Sequence, residues 1–287
     1  MTIRLASDGL TATILPELGA GLAALDALDG GRNVALLRPV PDAPAPLDLG
    51  LNVLAPFSNR ISQPFTYGGA THAVPCNLPG ERYPIHGDAF LKAWRVANAS
   101  ASSATLTLAG EIGPYHYDAQ LDYALRGARL DAALTLTNRG AALPFGGGFH
   151  PWFRRDVDTV CAFKAEAVYT ETADHLPADR LMLSQSPDWR FDTPRALPAD
   201  WINNAFLGWE RTARLAHPSL GIETVVRAEP PLDVLVVHAR TLAEPFVCLE
   251  PVSHPPDAHN LPGQPGLVPL QASETLRLAM SVEWMAL

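Results

Sequence analysis

The chain has 287 residues, of which 47% are apolar and 18% charged, with a formal charge of −9. That balance predicts a globular protein with a large core and excludes a disordered chain. The negative charge, with no basic run longer than Arg154-Arg155, argues against nucleic acid or an anionic membrane surface as a partner.

Taken in chain order, period-2 alternation dominates. Ile3 and Leu5 alternate with polar neighbours, Ser7 to Gly9 supplies a turn, and Leu10, Ala12 and Ile14 alternate on the way back. Gly19-Ala20-Gly21 reads as a turn and not as a phosphate loop. The Pro-rich stretch from Arg38 to Gly50 reads as an ordered surface loop. Leu121, Tyr123 and Leu125, then Arg126-Gly127, then Leu130, Ala132, Leu134 and Leu136 predict a β-hairpin. "DWINNAFLGW" (Asp200 to Trp209) is the one stretch read as a turn or two of helix. Leu232 to Arg240 and Phe246 to Glu250 are mostly apolar, as strands covered on both faces should be. Leu276, Leu278, Met280, Val282 and Trp284 share one face of a long final strand.

Many short strands separated by Gly and Pro predict an all-β antiparallel sandwich or barrel. Neither a linker nor a fixed-period repeat divides the chain, so residues 1–287 read as one domain. Apolar runs fall short of a membrane-spanning helix, and "MTIRLASDGL" has no secretory pattern. Three widely spaced cysteines, Cys76, Cys161 and Cys248, fit reduced thiols and offer no zinc spacing, so the expected compartment is the cytoplasm.

Five stretches gather reactive residue types among aromatics and glycines: "NRI" (Asn59 to Ile61), "IHGDAF" (Ile85 to Phe90), "GGGFHPWF" (Gly146 to Phe153), "INNAFLGW" (Ile202 to Trp209) and "CLEPVSHPPDAHN" (Cys248 to Asn260). Glu250, at an apparent strand end on one face with Phe246 and Cys248, is either an ion-paired edge carboxylate or a proton-transfer group. His150 is either a turn histidine bonded to a carbonyl or a proton carrier, in a loop where glycines allow close approach. There Trp152 or Phe153 can cover the apolar face of a ring. His86 and Arg60 carry the same two readings, and the Arg60 fork suits a sugar hydroxyl or a carboxylate. His238 shares a face with Val234 and Val236 and reads as a core histidine. His254 and His259 lie in a Pro-rich loop. No histidine pair has a metal-ligand spacing, so no metal is expected.

In order and together, "NVLAPFSNRI", "PIHGDAF", "GFHPWF", "INNAF" and "FVCLEPVSHPPDAHN" resemble the aldose 1-epimerase (galactose mutarotase) family over nearly the whole chain. The resemblance implies an antiparallel β-supersandwich, galactose mutarotase-like, with a sugar groove on its concave face. It implies that Glu250 is the general base and His150 the general acid. Arg60 and His86 match the sugar-binding Arg and His, with Asn59 and Trp152 beside them. Asn203 stands where family members carry an Asp, and Asp88 where many carry a second Gly; both are expected to bear on hydroxyl preference.

The implied chemistry removes a proton from the C1 hydroxyl and delivers one to the ring oxygen, and it requires no cofactor. The substrate would be a small free sugar and the protein a monomer or homodimer. Three rivals remain on the sequence: a non-catalytic sugar-binding protein, a hexose-6-phosphate mutarotase drawing on Arg60, Arg82, Lys92, Arg154 or Arg155, and a metal-dependent isomerase or lyase on the same fold.

Overall fold

The computed structural model describes residues 1–42 and 44–287. Ala43, inside the Pro-rich stretch expected to form a surface loop, lies outside the described residues. Among those described there is no α-helix; strands are joined by turns and five short 3-10 segments. Two large antiparallel sheets dominate. The first has eleven strands, with Leu51–Leu54, Gly148–Arg154, Phe246–Val252, Val234–Ala239, Ile202–Leu207 and Ala167–Glu171 side by side at its centre. The second has nine, built around the long strands Tyr115–Arg126, Arg129–Asn138 and Thr275–Ala286.

Alternation explains the layering. In Tyr115–Arg126, Leu121, Tyr123 and Leu125 point inward and are buried, and the return strand buries Leu130, Ala132, Leu134 and Leu136 against them. They meet Phe149, Phe153, Val237 and Leu249 of the first sheet in one continuous apolar cluster. Burying each leucine, valine or phenylalanine among them contributes roughly 1.5–3 kcal/mol. The expected N-terminal hairpin is present as Ile3–Ala6 paired with Leu10–Leu15.

Asp200 to Trp209 is not helical. Ile202–Leu207 is a strand hydrogen-bonded to Ala167–Glu171 on one side and to Val234–Ala239 on the other. Its two faces both carry mixed polarity, because Asn203, Ala205 and Leu207 face the concave side and Ile202, Asn204 and Phe206 the other. Pairing on both edges, not local propensity, decides its conformation.

Register sorts the concave face of the first sheet into three rows. One row runs Leu54, Gly148, Val252, Val234, Leu207. The middle row runs through His150 and Asn52 on one side and Glu250, Val236 and Ala205 on the other. The third contains Trp152, Cys248, His238 and Asn203. The first row is apolar and packs with Val236 and Ala205 of the middle row into a small cluster apart from the main core. The other two carry nearly all of the polar chemistry on this face.

The histidines of the Pro-rich loop belong to the core. His254 accepts from the Ser58 N–H at Nε2 (3.1 Å) and donates from Nδ1 to the Pro255 carbonyl (2.9 Å). His259 packs its ring on Phe65 and bonds the Tyr115 hydroxyl at 2.9 Å. Burial pushes His254 down to about 4 and His259 well below the ordinary histidine value. The unfolded chain takes up these protons near pH 6.5 while the folded one refuses them. Stability is therefore full above about pH 6.5 and falls as the pH drops towards 4. Melting temperatures measured by calorimetry across that window should decline steadily; a flat profile would show that these histidines titrate alike in both states.

Candidate active site

The strands Gly148–Arg154 and Phe246–Val252 lie side by side, and their ladder pairs Gly148 with Val252 and Trp152 with Cys248. Between those two pairs no ladder partners occur, and each strand carries a proline there, Pro151 and Pro251. A proline has no N–H to give, so the backbone bonding lapses at this point. Counting inward from either pair puts His150 directly opposite Glu250, and their side chains meet with Nε2 3.4 Å from Oε1. Both are buried, at 5% and 3% exposure. Glu250 is two residues inside its strand and not at its end.

Burial dominates their protonation. It pushes the Glu250 carboxyl well above the usual carboxylate range, with Arg60 as the charge that pulls it back. It pushes His150 well below the usual histidine value, helped by His86, His238 and Arg38. The pair is poised to share one proton. The His150 ring lies parallel to Trp152 at 4.7 Å, and the Arg38 guanidinium sits 3.6 Å from the centre of the Trp152 ring. That stack fixes the ring plane of the histidine.

His86 enters from a loop in left-handed backbone (φ 60°), as does Asn59 (φ 51°). Two reciprocal bonds hold them: His86 N–H to the Asn59 carbonyl at 3.0 Å, and Asn59 N–H to His86 Nδ1 at 3.0 Å. Because Nδ1 accepts, neutral His86 carries its proton on Nε2 and is a donor there. Burial, followed by Arg60, lowers its pKa to about 3, so it stays neutral. Asn59 uses its own Oδ1 to accept from the Arg60 N–H at 2.9 Å. Arg60 is fixed by a two-pronged contact with Glu81, both bonds at 3.2 Å.

These residues line an open groove of about 400 Å³ that brings together Arg60, His86, His150, Trp152, Asn203 and Glu250, with Asn59 at its edge. Asp88 is not among them. Its carboxylate accepts from the Tyr117 hydroxyl (2.6 Å) and the Glu111 N–H (3.1 Å) and pairs with Lys92 (2.6 Å). The left-handed turn at His86 and Gly87 sends the next side chain the other way. The expectation that Asp88 reads a sugar hydroxyl is therefore corrected: it ties a loop to the second sheet. His238, read as a core histidine, is also corrected. It lines the groove between Trp152 and Trp201, with ring centres 6.0 and 5.2 Å away.

Sequence reasoning missed three residues. Asn52 is fully buried opposite His150, and neither atom of its amide has a partner among the described residues. Trp201 and His175 form the far wall of the groove. Asn52 opens the stretch "NVLAPFSNRI" and Trp201 directly precedes "INNAF", but neither position is distinctive within it; the register opposite His150 is what singles out Asn52. For a metal, His150, Cys248 and Glu250 offer ligand atoms within 4.8 Å of one another. Of the cations once considered for a phosphate, Lys92 and Arg154 are paired with Asp88 and Asp156, and Arg155 bonds the Pro198 carbonyl, all outside the groove lining.

The two packed antiparallel sheets, one of them concave, place this chain in the galactose mutarotase-like class of β-proteins. The family model described as aldose 1-epimerase matches residues 1–283, and the chain belongs to that family. The uncharacterized Escherichia coli K12 protein YphB is 32% identical over 261 residues, covering 87% of this chain and 89% of its own. A crystal structure from the same organism, bearing a provisional aldose 1-epimerase designation, superposes with a TM-score of 0.93. It is 28% identical, with 100% of this chain and 99% of that one covered. A galactose mutarotase-like protein from Clostridium acetobutylicum shares the fold, with a TM-score of 0.88 at 18% identity over 100% and 95% of the two chains.

The placement of Asp88 is directly testable. Asp88→Ala strands a buried hydroxyl and a backbone N–H, and should lower unfolding stability by about 1–3 kcal/mol in denaturant titration. Sugar affinity measured by calorimetry on the same variant should stay within twofold of the parent.

Proposed function

We propose that the chain is an aldose 1-epimerase that interconverts the α and β anomers of a free aldose, working as one β-sandwich domain. The observation that carries this reading is the His150–Glu250 pair, 3.4 Å apart on the floor of a groove edged by Arg60 and His86. Glu250 takes the proton from the C1 hydroxyl, and the oxygen's electrons form the C1 carbonyl. The bond from C1 to the ring oxygen breaks, and that oxygen takes a proton from His150. Rotation about C1–C2 and the reverse transfers close the ring on the other face.

The protonation directions support this sequence. Ring opening begins with an ionised carboxylate and a protonated imidazole and ends with both neutral. Burial favours the neutral pair, so the groove stabilises the state that accompanies the open-chain sugar. Arg60 and the substrate's own hydroxyls offset the cost of the charged starting state. His86, a fixed Nε2 donor, and Arg60 hold hydroxyls so that the reacting atoms stay aligned. Proton transfer of this kind needs no Lewis acid.

Polarimetry on fresh α-glucose and α-galactose, with spontaneous mutarotation subtracted and a chelator present, tests the reading. Glu250→Gln and His150→Asn should each lose ~10²-fold or more in kcat. The double variant should be little worse than the worse single, because the two groups serve one event. A parent rate equal to background, or one that Glu250→Gln leaves untouched, would reject the assignment.

The pH profile gives a second check. Glu250 must be ionised in the starting state, and burial raises its pKa. The active form carries one proton on the pair, so kcat should be lost at high pH as that proton leaves and along an acidic limb as a second one binds, and both limits belong to the pair. Arg60→Gln removes the charge that lowers the Glu250 pKa and should move the acidic limb to higher pH. A limb that stays where it was would separate Arg60 from the protonation of Glu250.

A further inference from the structure

The far wall of the groove hangs on one carboxylate that no motif marks. Glu171 ends the strand Ala167–Glu171, with its side chain 18% exposed behind the groove surface. Its Oε1 accepts from the indole N–H of Trp201, and its Oε2 accepts from Asn203 Nδ2 at 2.8 Å and from His175 Nδ1 at 2.9 Å. These three partners come from three places: the strand Ile202–Leu207, the residue just before it, and a turn in which His175 has φ 59°. All three line the groove. The His175 and Trp201 rings also stack, with centres 5.3 Å apart.

We propose that Glu171 is the positioning residue of a sugar-reading wall, and that the wall it sets selects an uncharged, hydroxyl-rich aldose over an anionic one. This rests on reading the groove as a sugar site. The Asn203 amide is held with its nitrogen on Glu171, which leaves Oδ1 as an acceptor for the ligand. His175 spends its Nδ1 proton on Glu171, so in the neutral ring Nε2 is a lone pair. The wall therefore offers acceptors that suit hydroxyl donors, in front of a negative charge that disfavours phosphate or carboxylate.

Among the described residues, the rest of the groove supplies no free cation to reverse this preference. Arg60 is paired with Glu81 (3.1 Å), Arg82 with Asp174 (2.7 Å) and Arg240 with Glu244 (3.5 Å). An incoming anion would share each guanidinium it used with a carboxylate already there, or exchange one for the other. A neutral sugar needs no such exchange. This favours a free aldose over a hexose 6-phosphate.

Calorimetry on the intact chain with glucose, galactose and glucose 6-phosphate tests the proposal. The parent should bind at least one neutral hexose about tenfold or more tighter than the phosphate. Glu171→Gln keeps the size but cannot accept from all three donors. It should weaken neutral-sugar binding by about tenfold, the scale of one hydrogen bond to a charged group, and narrow the gap to the phosphate. The loss should appear in KM and not in kcat, which a general loosening of the fold would lower as well. Asn203→Leu, on the groove surface, should weaken binding similarly, and combining it with Glu171→Gln should cost less than the sum of the two, because part of the effect of Glu171 runs through Asn203. Phosphate bound as tightly as the neutral sugar, affinity within twofold in Glu171→Gln, or fully additive losses would each overturn the proposal. Should Glu171→Gln fail to fold, the parent's discrimination and the Asn203→Leu affinity still decide it. A parent that binds sugars in this pattern without accelerating mutarotation would leave the wall standing and reject the catalytic reading instead.

Discussion

The contact between His150 and Glu250 is the constraint around which this molecule is organised. Two side chains that both prefer water are held together in a dry place, and each resists carrying its charge there. Neither could be placed so closely on a flexible loop. Here they occupy facing positions on adjacent strands near the middle of an eleven-stranded sheet. The geometry is set by the sheet, and the two prolines remove the backbone bonds that would otherwise run between the strands at that point. The stack of His150 on Trp152 then fixes the last rotational freedom of the ring.

Charge around this pair is arranged in closed accounts. Each arginine lining the groove has its own carboxylate, and burial keeps His86 and His238 between them neutral. Such a surface can exclude water from the reacting atoms without building up a strong net field. It suits a reaction whose substrate and product carry no charge. In the proposed reaction the only large electrostatic change is the transient movement of two protons.

Much of this was legible in the sequence, for physical reasons that differ from place to place. The hairpin from Tyr115 to Asn138 could be read because one face is core and the other is not, so alternation is clean. Glu250 and His150 stood out because a carboxylate amid apolar strand residues and a histidine among glycines and aromatics both need a task. The strand Ile202–Leu207 was misread because it lines a binding groove, and a groove wall mixes polar and apolar residues as a core does not. His238 was assigned to the right face but to the wrong surroundings: Val234 and Val236 share its face, yet that face becomes the groove at His238. Asp88 was misjudged because its direction depends on left-handed backbone at His86 and Gly87, which no spacing argument reveals. Glu171 left no trace at all, since its importance lies in three partners that are distant in sequence or separated by a turn.

The three rows on the concave face separate the demands made on this sheet. Residues two positions apart on a strand look out over the same groove, yet only one row carries the His150–Glu250 pair. The row containing Trp152, His238 and Asn203 can therefore change its side chains by single substitutions while the neighbouring row keeps its spacing. An insertion of one residue in any of these strands would do the opposite, turning both rows into the core at once. Descent within such a scaffold is free to vary the groove surface by point replacement, and is barred from altering the length of the strands that hold the buried pair.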